Sequence, residues 1–327
     1  MKSRIIGTGS YAPQRILSNH DLEKIVDTSD EWIATRTGIK ERRIADGETT
    51  TDIAVKACKK ALKSASIPPD EIDLIIAATV TSDMIFPSTA CFLQSHLGIK
   101  KNIPAFDVSA ACSGFLYAID VADKYIKTNA AKNVLVVGVD VFSKIIDWHD
   151  RNTCILFGDG AGAVLLSAEK GNRGILSSHI FSNGHYWNML YTPSNICSSP
   201  FKSSSHSHKC EEPYLKMEGN KIFKLAVQTM GEACQEALDH NNITADELAF
   251  LIPHQANARI INATAERMGL PQEKVFINLD RYGNTSAGSI PIALDELAQS
   301  GRLNKGDLLL MVAFGGGLTW GATLVKW

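Results

Sequence analysis

Ala61-Leu-Lys-Ser-Ala-Ser-Ile-Pro-Pro-Asp-Glu-Ile-Asp-Leu-Ile-Ile76 occurs twice in this chain, in altered form. Ala237-Leu-Asp-His-Asn-Asn-Ile-Thr-Ala-Asp-Glu-Leu-Ala-Phe-Leu-Ile252 aligns with it without a gap. Both run Ala-Leu, then Ile, then Asp-Glu, then an apolar strand. A second pair follows in the same order: Gly162-Ala-Val-Leu-Leu166 returns as Gly321-Ala-Thr-Leu-Val325. Two ordered matches predict two copies of one αβ unit. The competing reading is a chance likeness, because amphipathic helix–strand units share periodicity.

The surrounding sequence extends the pattern. Ile5–Gly7 reads as a strand, and a helical pattern lies near Leu22–Ile25, before Trp32-Ile-Ala-Thr-Arg36-Thr-Gly. Helices are expected over Thr51–Ala65, 88–96 and 113–127. Buried strands are expected at Ile72–Ala78, 103–108, Asn133–Val139 and Ala161–Ser167. Strands alternating with helices give an α/β class, and strands apolar throughout predict a sheet covered on both faces. The expected halves are 1–172 and 173–327.

The 327 residues suffice for two such halves, and 45% hydrophobic with 21% charged residues is an ordinary globular composition. The formal net charge of −2 gives no field to recruit nucleic acid, so an acidic partner needs a local basic patch. The start lacks the apolar run of a signal peptide, and no uncharged stretch reaches membrane-spanning length. Cysteines 58, 91, 112, 154, 197, 210 and 234 are odd in number and form no Cys-x-x-Cys pair. Reduced thiols in a cytoplasm are the expectation, without a disulfide framework or zinc site. The interval 190–212 reads as a mobile loop. Its His206, His208 and Cys210 are read as solvated polar residues rather than metal ligands, for want of a fourth ligand.

Ala105-Phe-Asp-Val-Ser-Ala-Ala-Cys-Ser-Gly114 places Cys112 between a buried strand and a helix. The positive end of the helix dipole is expected to lower its pKa and enrich the thiolate. Alone, such a cysteine reads as a buried structural one, and the later stretches reverse that reading. His254 follows an apolar strand in Phe250-Leu-Ile-Pro-His-Gln-Ala-Asn257. Asn284 is expected at the next strand-to-helix turn, in Asn278-Leu-Asp-Arg-Tyr-Gly-Asn-Thr285. Leu308–Phe314 ends in a triple glycine, a turn able to aim an N–H at a developing oxyanion. Singly, His254 reads equally as a core histidine and Asn284-Thr285 as a helix cap. Jointly, they fall at strand ends where open α/β folds place ligands.

Six motifs carry a resemblance that runs essentially end to end: Gly38-Ile-Lys-Glu-Arg-Arg, Asp107-Val-Ser-Ala-Ala-Cys-Ser-Gly, Phe157-Gly-Asp-Gly-Ala-Gly-Ala, Pro253-His-Gln-Ala-Asn, Gly283-Asn-Thr-Ser-Ala and Phe314-Gly-Gly-Gly. With these the chain resembles the β-ketoacyl-acyl-carrier-protein synthases III, the initiating condensing enzymes of bacterial fatty-acid synthesis. The resemblance implies a thiolase-like fold, five-layered αβαβα with two duplicated halves. It implies a Cys-His-Asn set of Cys112, His254 and Asn284, with backbone N–H groups of Cys112 and Gly316 as the oxyanion hole. The implied reaction is a decarboxylating condensation of an acyl-CoA, acetyl-CoA foremost, with malonyl-ACP through an acyl-Cys112 intermediate. Coenzyme A enters as a thioester substrate, and no metal or other cofactor is implied.

By the same resemblance, Trp32 and Arg151 sandwich the adenine, and Thr28 and Arg36 contact nucleotide and phosphate. Asn220 and Asn257 bind the pantetheine arm; Phe157, Leu190, Gly219, Phe223, Ala256 and Phe314 line the substrate tunnel. Read alone, Trp32 is packing and Arg36 a surface charge. Lys224, Gln255 and Arg259 match the face that receives acyl carrier protein. Glu266-Arg267 departs from it, where relatives often carry two basic residues. Phe86 resembles the residue that caps a partner subunit's acyl pocket, so a homodimer is expected, with neither membrane nor nucleic acid as partner. Two further hypotheses stand beside this one: a related condensing enzyme taking a longer primer for a secondary metabolite or signal, and a non-catalytic acyl-CoA-binding scaffold.

Overall fold

The computed structural model describes residues 1–194 and 212–327. Nine strands build two mixed sheets: β1 (Lys2–Tyr11), β2 (Leu74–Ala78), β3 (Ala105–Val108), β4 (Asn133–Val141), β5 (Asp159–Glu169), β6 (Gly174–Ser182), β7 (Phe250–Pro253), β8 (Leu308–Gly315) and β9 (Thr319–Lys326). The first sheet has the order β1-β5-β4-β2-β3 and the second β7-β8-β9-β6. In both, one pair is parallel (β2 with β4, β7 with β8), and the next strand along, β5 or β9, runs antiparallel to both its neighbours.

Six helices complete the layers: α1 (Thr50–Ala65), α2 (Thr89–His96), α3 (Gly114–Lys127), α4 (Gly219–Asn241), α5 (Ala258–Arg267) and α6 (Ser289–Gln299). α3 and α6 lie between the sheets. Phe115, Leu116, Ile119, Ile290, Leu294 and Leu297 share one core with Leu74, Val134 and Val164 of the first sheet and Ile252, Leu309 and Met311 of the second. α1 and α2 cover the outer face of the first sheet, and α4 and α5 that of the second. This is the expected five-layered αβαβα arrangement, and both strand faces are buried because each meets a helical layer.

The repeat holds in register. α1 ends at Ser66 (φ 55°), and α4 ends 176 residues later at Asn242 (φ 52°), both left-handed. The 3-10 turns Pro69–Glu71 and Ala245–Glu247 keep that spacing, and so do the starts of β2 and β7. The halves differ at one sheet edge. β3 pairs along its length with β2, whereas its counterpart near Val275 makes a single parallel bridge to Leu251.

The five cysteines among the described residues are free. Among these residues no helix is long and apolar enough to cross a membrane. Leu190–Tyr191 pairs antiparallel with Lys216–Met217, so the two ends of the expected loop are joined. His206, His208 and Cys210 lie outside the described residues.

Candidate active site

α3 and α6 begin alike. Each is preceded by a 3-10 turn, Ala111–Ser113 and Ser286–Gly288, whose first residue is left-handed: Ala111 at φ 45° and Ser286 at φ 48°. Such a conformation is unfavourable for a side chain with a Cβ and persists only where surrounding packing fixes it. Here close backbone approaches do so. A Cβ added to Gly315 at the end of β8 would lie 2.7 Å from the Cys112 nitrogen and 3.0 Å from that of Ser113. A Cβ on Gly138 would run into the Ala287 carbonyl oxygen. Each sheet therefore presses a glycine against the other half's turn.

Cys112 sits in the first turn, buried, at the N-terminal end of α3. The expected lowering of its pKa is overturned. Burial pushes the thiol up to about 12; the Ser286 hydroxyl works against this, and the Asp140 carboxylate adds to it. Loss of hydration penalises a thiolate more than the helix terminus favours it. Burial thus keeps Cys112 a thiol at neutral pH.

His254 follows β7 directly, at the position equivalent to Ala78 of β2. Its N–H donates to Val312 O at 2.7 Å, which fixes the backbone beside β8. Its Nδ1 lies 2.6 Å from Ser289 Oγ, the first residue of α6. Burial pushes the imidazole down to about 3, so it is neutral. Ser289 can donate to Nδ1 or accept from it, so the ring can carry its hydrogen on either nitrogen.

Asn284 does not follow a strand, contrary to expectation. It follows the short helix Leu279–Tyr282 and Gly283, and forms an isolated parallel bridge with Phe157. Its N–H donates to Leu156 O at 2.8 Å, and its carbonyl accepts from Gly158 N at 3.0 Å. Gly283 is required there: φ is 61°, and a Cβ would sit 2.8 Å from Leu156 O. Asn284 Oδ1 accepts from Ser286 N at 2.8 Å, which commits the oxygen and leaves the NH₂ as the donor. Behind this loop Arg42 is fully buried, with Nη2 donating to Ile155 O at 2.7 Å and Nη1 to Asn19 Oδ1 at 2.9 Å. The Gly38–Arg43 motif signals that buttress in the sequence.

Cys112, His254 and Asn284 line one cavity of about 140 Å³. Of the residues expected around it, Phe157, Leu190, Gly219, Phe223, Ala256, Asn257 and Phe314 share that lining. Leu156, Met217, Ile222, Ala226, Met230 and Ile260 also line it and were not singled out from sequence. Ile222, Ala226, Met230 and Ile260 belong to helical apolar stripes, where a wall residue looks like any core residue. Gly316 lines a neighbouring cavity that also reaches Cys112, with Val80, Phe142 and Ile145.

Other expected contacts fall outside. Trp32 is flanked by Arg36 at 4.7 Å and Arg151 at 5.1 Å. Arg151 thus stacks directly on the indole; a third ring between them needs about 7 Å, two van der Waals contacts. Thr28 Oγ1 is buried without a partner, and Asn220 is exposed in the first turn of α4. Asn257 Nδ2 donates to Arg36 O at 3.2 Å, which ties the cavity to this arginine's segment. Lys224 and Arg259 are exposed, and the Arg259 guanidinium lies 5.5 Å from the centroid of the Phe223 ring that lines the cavity. Gln255 must be corrected as a docking residue: it is 1% exposed, donates to Pro253 O and Phe276 O, and accepts from Asn278 N. An amide committed to interior backbone presents nothing to a partner.

Residues 106–184 match the family model described as 3-Oxoacyl-[acyl-carrier-protein (ACP)] synthase III, and 238–327 match that of its C-terminal part. The chain is 51% identical to the beta-ketoacyl-[acyl-carrier-protein] synthase III of Aquifex aeolicus strain VF5 over 327 residues, covering 100% of both. It is 52% identical to that of Xanthomonas campestris pv. campestris strain ATCC 33913, covering 99% of this chain and 98% of the relative. The crystal structure of the Aquifex 3-oxoacyl-[acyl-carrier-protein] synthase III superposes with a TM-score of 0.92 at 51% identity, over 99% of this chain and 100% of the other. With two matching turns, one cavity and these relatives in view, the chain belongs to the β-ketoacyl-[acyl-carrier-protein] synthase III family of condensing acyltransferases.

Proposed function

We propose that Cys112, His254 and Asn284 carry a decarboxylating condensation of an acyl-CoA primer, acetyl-CoA foremost, with malonyl-acyl-carrier protein. The observation that carries this is their shared cavity, in which the imidazole is neutral and the amide oxygen already spent. In the first half-reaction, the Cys112 thiol attacks the thioester carbonyl while Nε2 of His254 takes its proton. That proton then leaves with the CoA thiol. The oxyanion is assigned to the N–H groups of Cys112 and Gly316.

In the second half-reaction, Ser289 donates to Nδ1, and His254 carries its hydrogen on Nε2. That N–H and the Asn284 NH₂ then stabilise the enolate left by loss of CO₂. The enolate carbon attacks the acyl-Cys112 carbonyl, the acyl–sulfur bond breaks to release a β-ketoacyl thioester, and the Cys112 thiolate takes a proton from water. Decarboxylation drives the step, so the proposal requires no metal or redox cofactor.

Exposed Lys224 and Arg259 beside the Phe223 wall support carrier docking at this mouth. A homodimer is supported by the apolar tip Met84 (55% exposed), Ile85 (79%) and Phe86 (83%), beside β3, which pairs on one side only among the described residues. Exposed apolar patches and open strand edges both favour burial by a second copy. The division into 1–172 and 173–327 and a cytoplasmic setting remain part of this proposal. The deciding experiment is intact-mass analysis after mixing with acetyl- to decanoyl-CoA, followed by malonyl-acyl-carrier protein. An adduct on Cys112 that disappears with CO₂ release supports the proposal; absence of any adduct overturns it in favour of a binding scaffold.

A further inference from the structure

Two hydroxyls join the turn that carries Cys112 to the triple-glycine turn of the other half. Gly315 of β8 pairs directly with Thr319 of β9, and residues opposite each other in a sheet point to the same face. Gly315 leaves that face open to the Cys112 turn, which presses against it. Thr319 therefore reaches the turn from beside it. Its Oγ1 lies 2.6 Å from Ser113 Oγ, 3.0 Å from Ala110 O and 3.0 Å from Gly316 O. Ser113 is fully buried, and its Oγ also lies 2.8 Å from Ala110 O. A hydroxyl has one hydrogen to give and two lone pairs. The shortest contact has Ser113 donating to Thr319, whose own hydrogen then goes to Ala110 O or Gly316 O. In either case the hydroxyls bridge two turns from opposite ends of the chain.

The backbone on both sides of this bridge needs holding. Ala110 O precedes Ala111, which is left-handed at φ 45° and shares a peptide bond with the Cys112 nitrogen. Gly316 is followed by Gly317 at φ 136°, and glycine has the widest backbone freedom of any residue. A preorganised oxyanion site requires its N–H groups at a fixed separation. The second copy of the turn lacks the bridge. The residue matching Ser113 is Gly288, 175 positions later, as Ala287 is to Cys112. The residue matching Thr319 is Gly160, 159 positions earlier, as Gly162 is to Gly321. Gly160 pairs with Asp140 as Thr319 pairs with Gly315. A Cβ on Gly288 would lie 2.7 Å from Gly160 O, so bare backbone fills the place of the two hydroxyls. The hydroxyl pair thus accompanies the turn that has the thiol and is absent from the turn that has Ala287.

We propose that Ser113 and Thr319 are positioning residues for the oxyanion site: their hydroxyls clasp the Cys112 turn to the triple-glycine turn and set the separation of the Cys112 and Gly316 N–H groups. This rests on the reading that those two N–H groups hold the oxyanion of the acylation step. Neither Ser113 nor Thr319 lines either cavity that reaches Cys112, so both act through the backbone.

Thr319→Val tests the clasp, because it keeps a β-branched side chain in the strand and removes only the hydroxyl. Ser113 retains Ala110 O as its acceptor, so no buried donor is orphaned. Two rates are measured on the full-length protein: label transfer from acetyl-CoA to the Cys112 peptide, and CO₂ release from malonyl-acyl-carrier protein. Thr319→Val is expected to lower acyl transfer about tenfold, a part of the roughly 10²–10³ lost with a whole donor. CO₂ release, assigned to His254 and Asn284, is expected to change by less than about twofold, so the ratio of the two rates falls. Thr319→Ser is expected to recover acyl transfer to within about twofold of wild type. Ser113→Ala is expected to lower acyl transfer about threefold alone and by less than about 1.5-fold when added to Thr319→Val, since the clasp is then already open. The carbonyl stretch of an isotope-labelled acetyl thioester on Cys112 gives a second readout. It is expected to move to higher wavenumber in Thr319→Val as the N–H groups lose their grip on the oxygen. Wild-type acyl transfer in Thr319→Val, an equal fall in both rates, or an unmoved carbonyl band overturns the clasp. If Thr319→Val does not fold, the rate ratio and the carbonyl band of Ser113→Ala decide. Absence of any Cys112 adduct in wild type overturns the underlying reading, and the clasp with it.

Discussion

The two halves share a backbone and divide the chemistry. Both begin their central helix with a left-handed residue in a 3-10 turn, and both place a parallel strand end beside it. At matched positions, however, the first half has Cys112, Ala78 and Asp140, where the second has Ala287, His254 and Gly315. The scaffold thus offers each chemical position twice, and one copy of each is filled with a reactive side chain. In the proposed reaction, neither half alone holds a nucleophile and an enolate-stabilising donor together.

The largest expected effect breaks this comparison at the turn itself. Cys112→Ala abolishes acyl transfer from radiolabelled acetyl-CoA while retaining some CO₂ release, because His254 and Asn284 remain. Adding Ala287→Cys does not restore transfer, since the Asp140 carboxylate already occupies the Ala287 N–H. A labelled peptide containing residue 287 would show the two turns to be interchangeable.

Gly315→Ala tests the close approach at the catalytic turn. Its Cβ would displace the Cys112 and Ser113 nitrogens, so acyl transfer falls by about 10²–10³, the scale of a lost oxyanion donor. Retained transfer in that variant would detach β8 from the oxyanion site. Asn284→Ala separates the half-reactions instead. Acylation stays nearly intact and CO₂ release drops by about 10²–10³. His254→Ala lowers both, because the thiol pushed up to about 12 needs its base. Lost acylation with full CO₂ release in Asn284→Ala would reverse the assignment.

The smallest effect is on pH. His254 is pushed down from 6.5 to about 3, so the protonated form is absent above pH 5. The rate of CO₂ release from malonyl-acyl-carrier protein is expected to show no inflection at 6.5. A depressed folded-state pKa also means that the unfolded chain binds the proton first. Stability linked to His254 is therefore complete above 6.5 and lost as pH falls towards 3. Denaturant midpoints that fall equally for wild type and His254→Ala over that range would refute this link.

Much of this was readable beforehand. The gapless repeat has the structure's own register, down to the left-handed caps Ser66 and Asn242, because a cap and a following Asp-Glu turn are local signals. Cys112 and His254 were readable from their strand ends. The protonation of Cys112 was not, since burial by residues distant in sequence decides it. Gln255 misled because a polar side chain inside a motif looks available, while its partners Phe276 and Asn278 lie more than twenty residues away. The strand expected before Asn284 failed because its edge keeps one bridge to Leu251 and then turns into Leu279–Tyr282.

The helical layer between the sheets has a consequence for motion. Amides of α3 and α6 are covered on both sides, so they open to solvent only when the sheets separate. Their hydrogen exchange should follow global unfolding, while the outer helices exchange through smaller local openings. Ala111–Ser113 and Ser286–Gly288 are rooted in that slowest-exchanging layer. The groups proposed to react at these turns are thereby held by the most persistent part of the molecule, and in that reading adjustment to different acyl chains falls to the cavity walls around them.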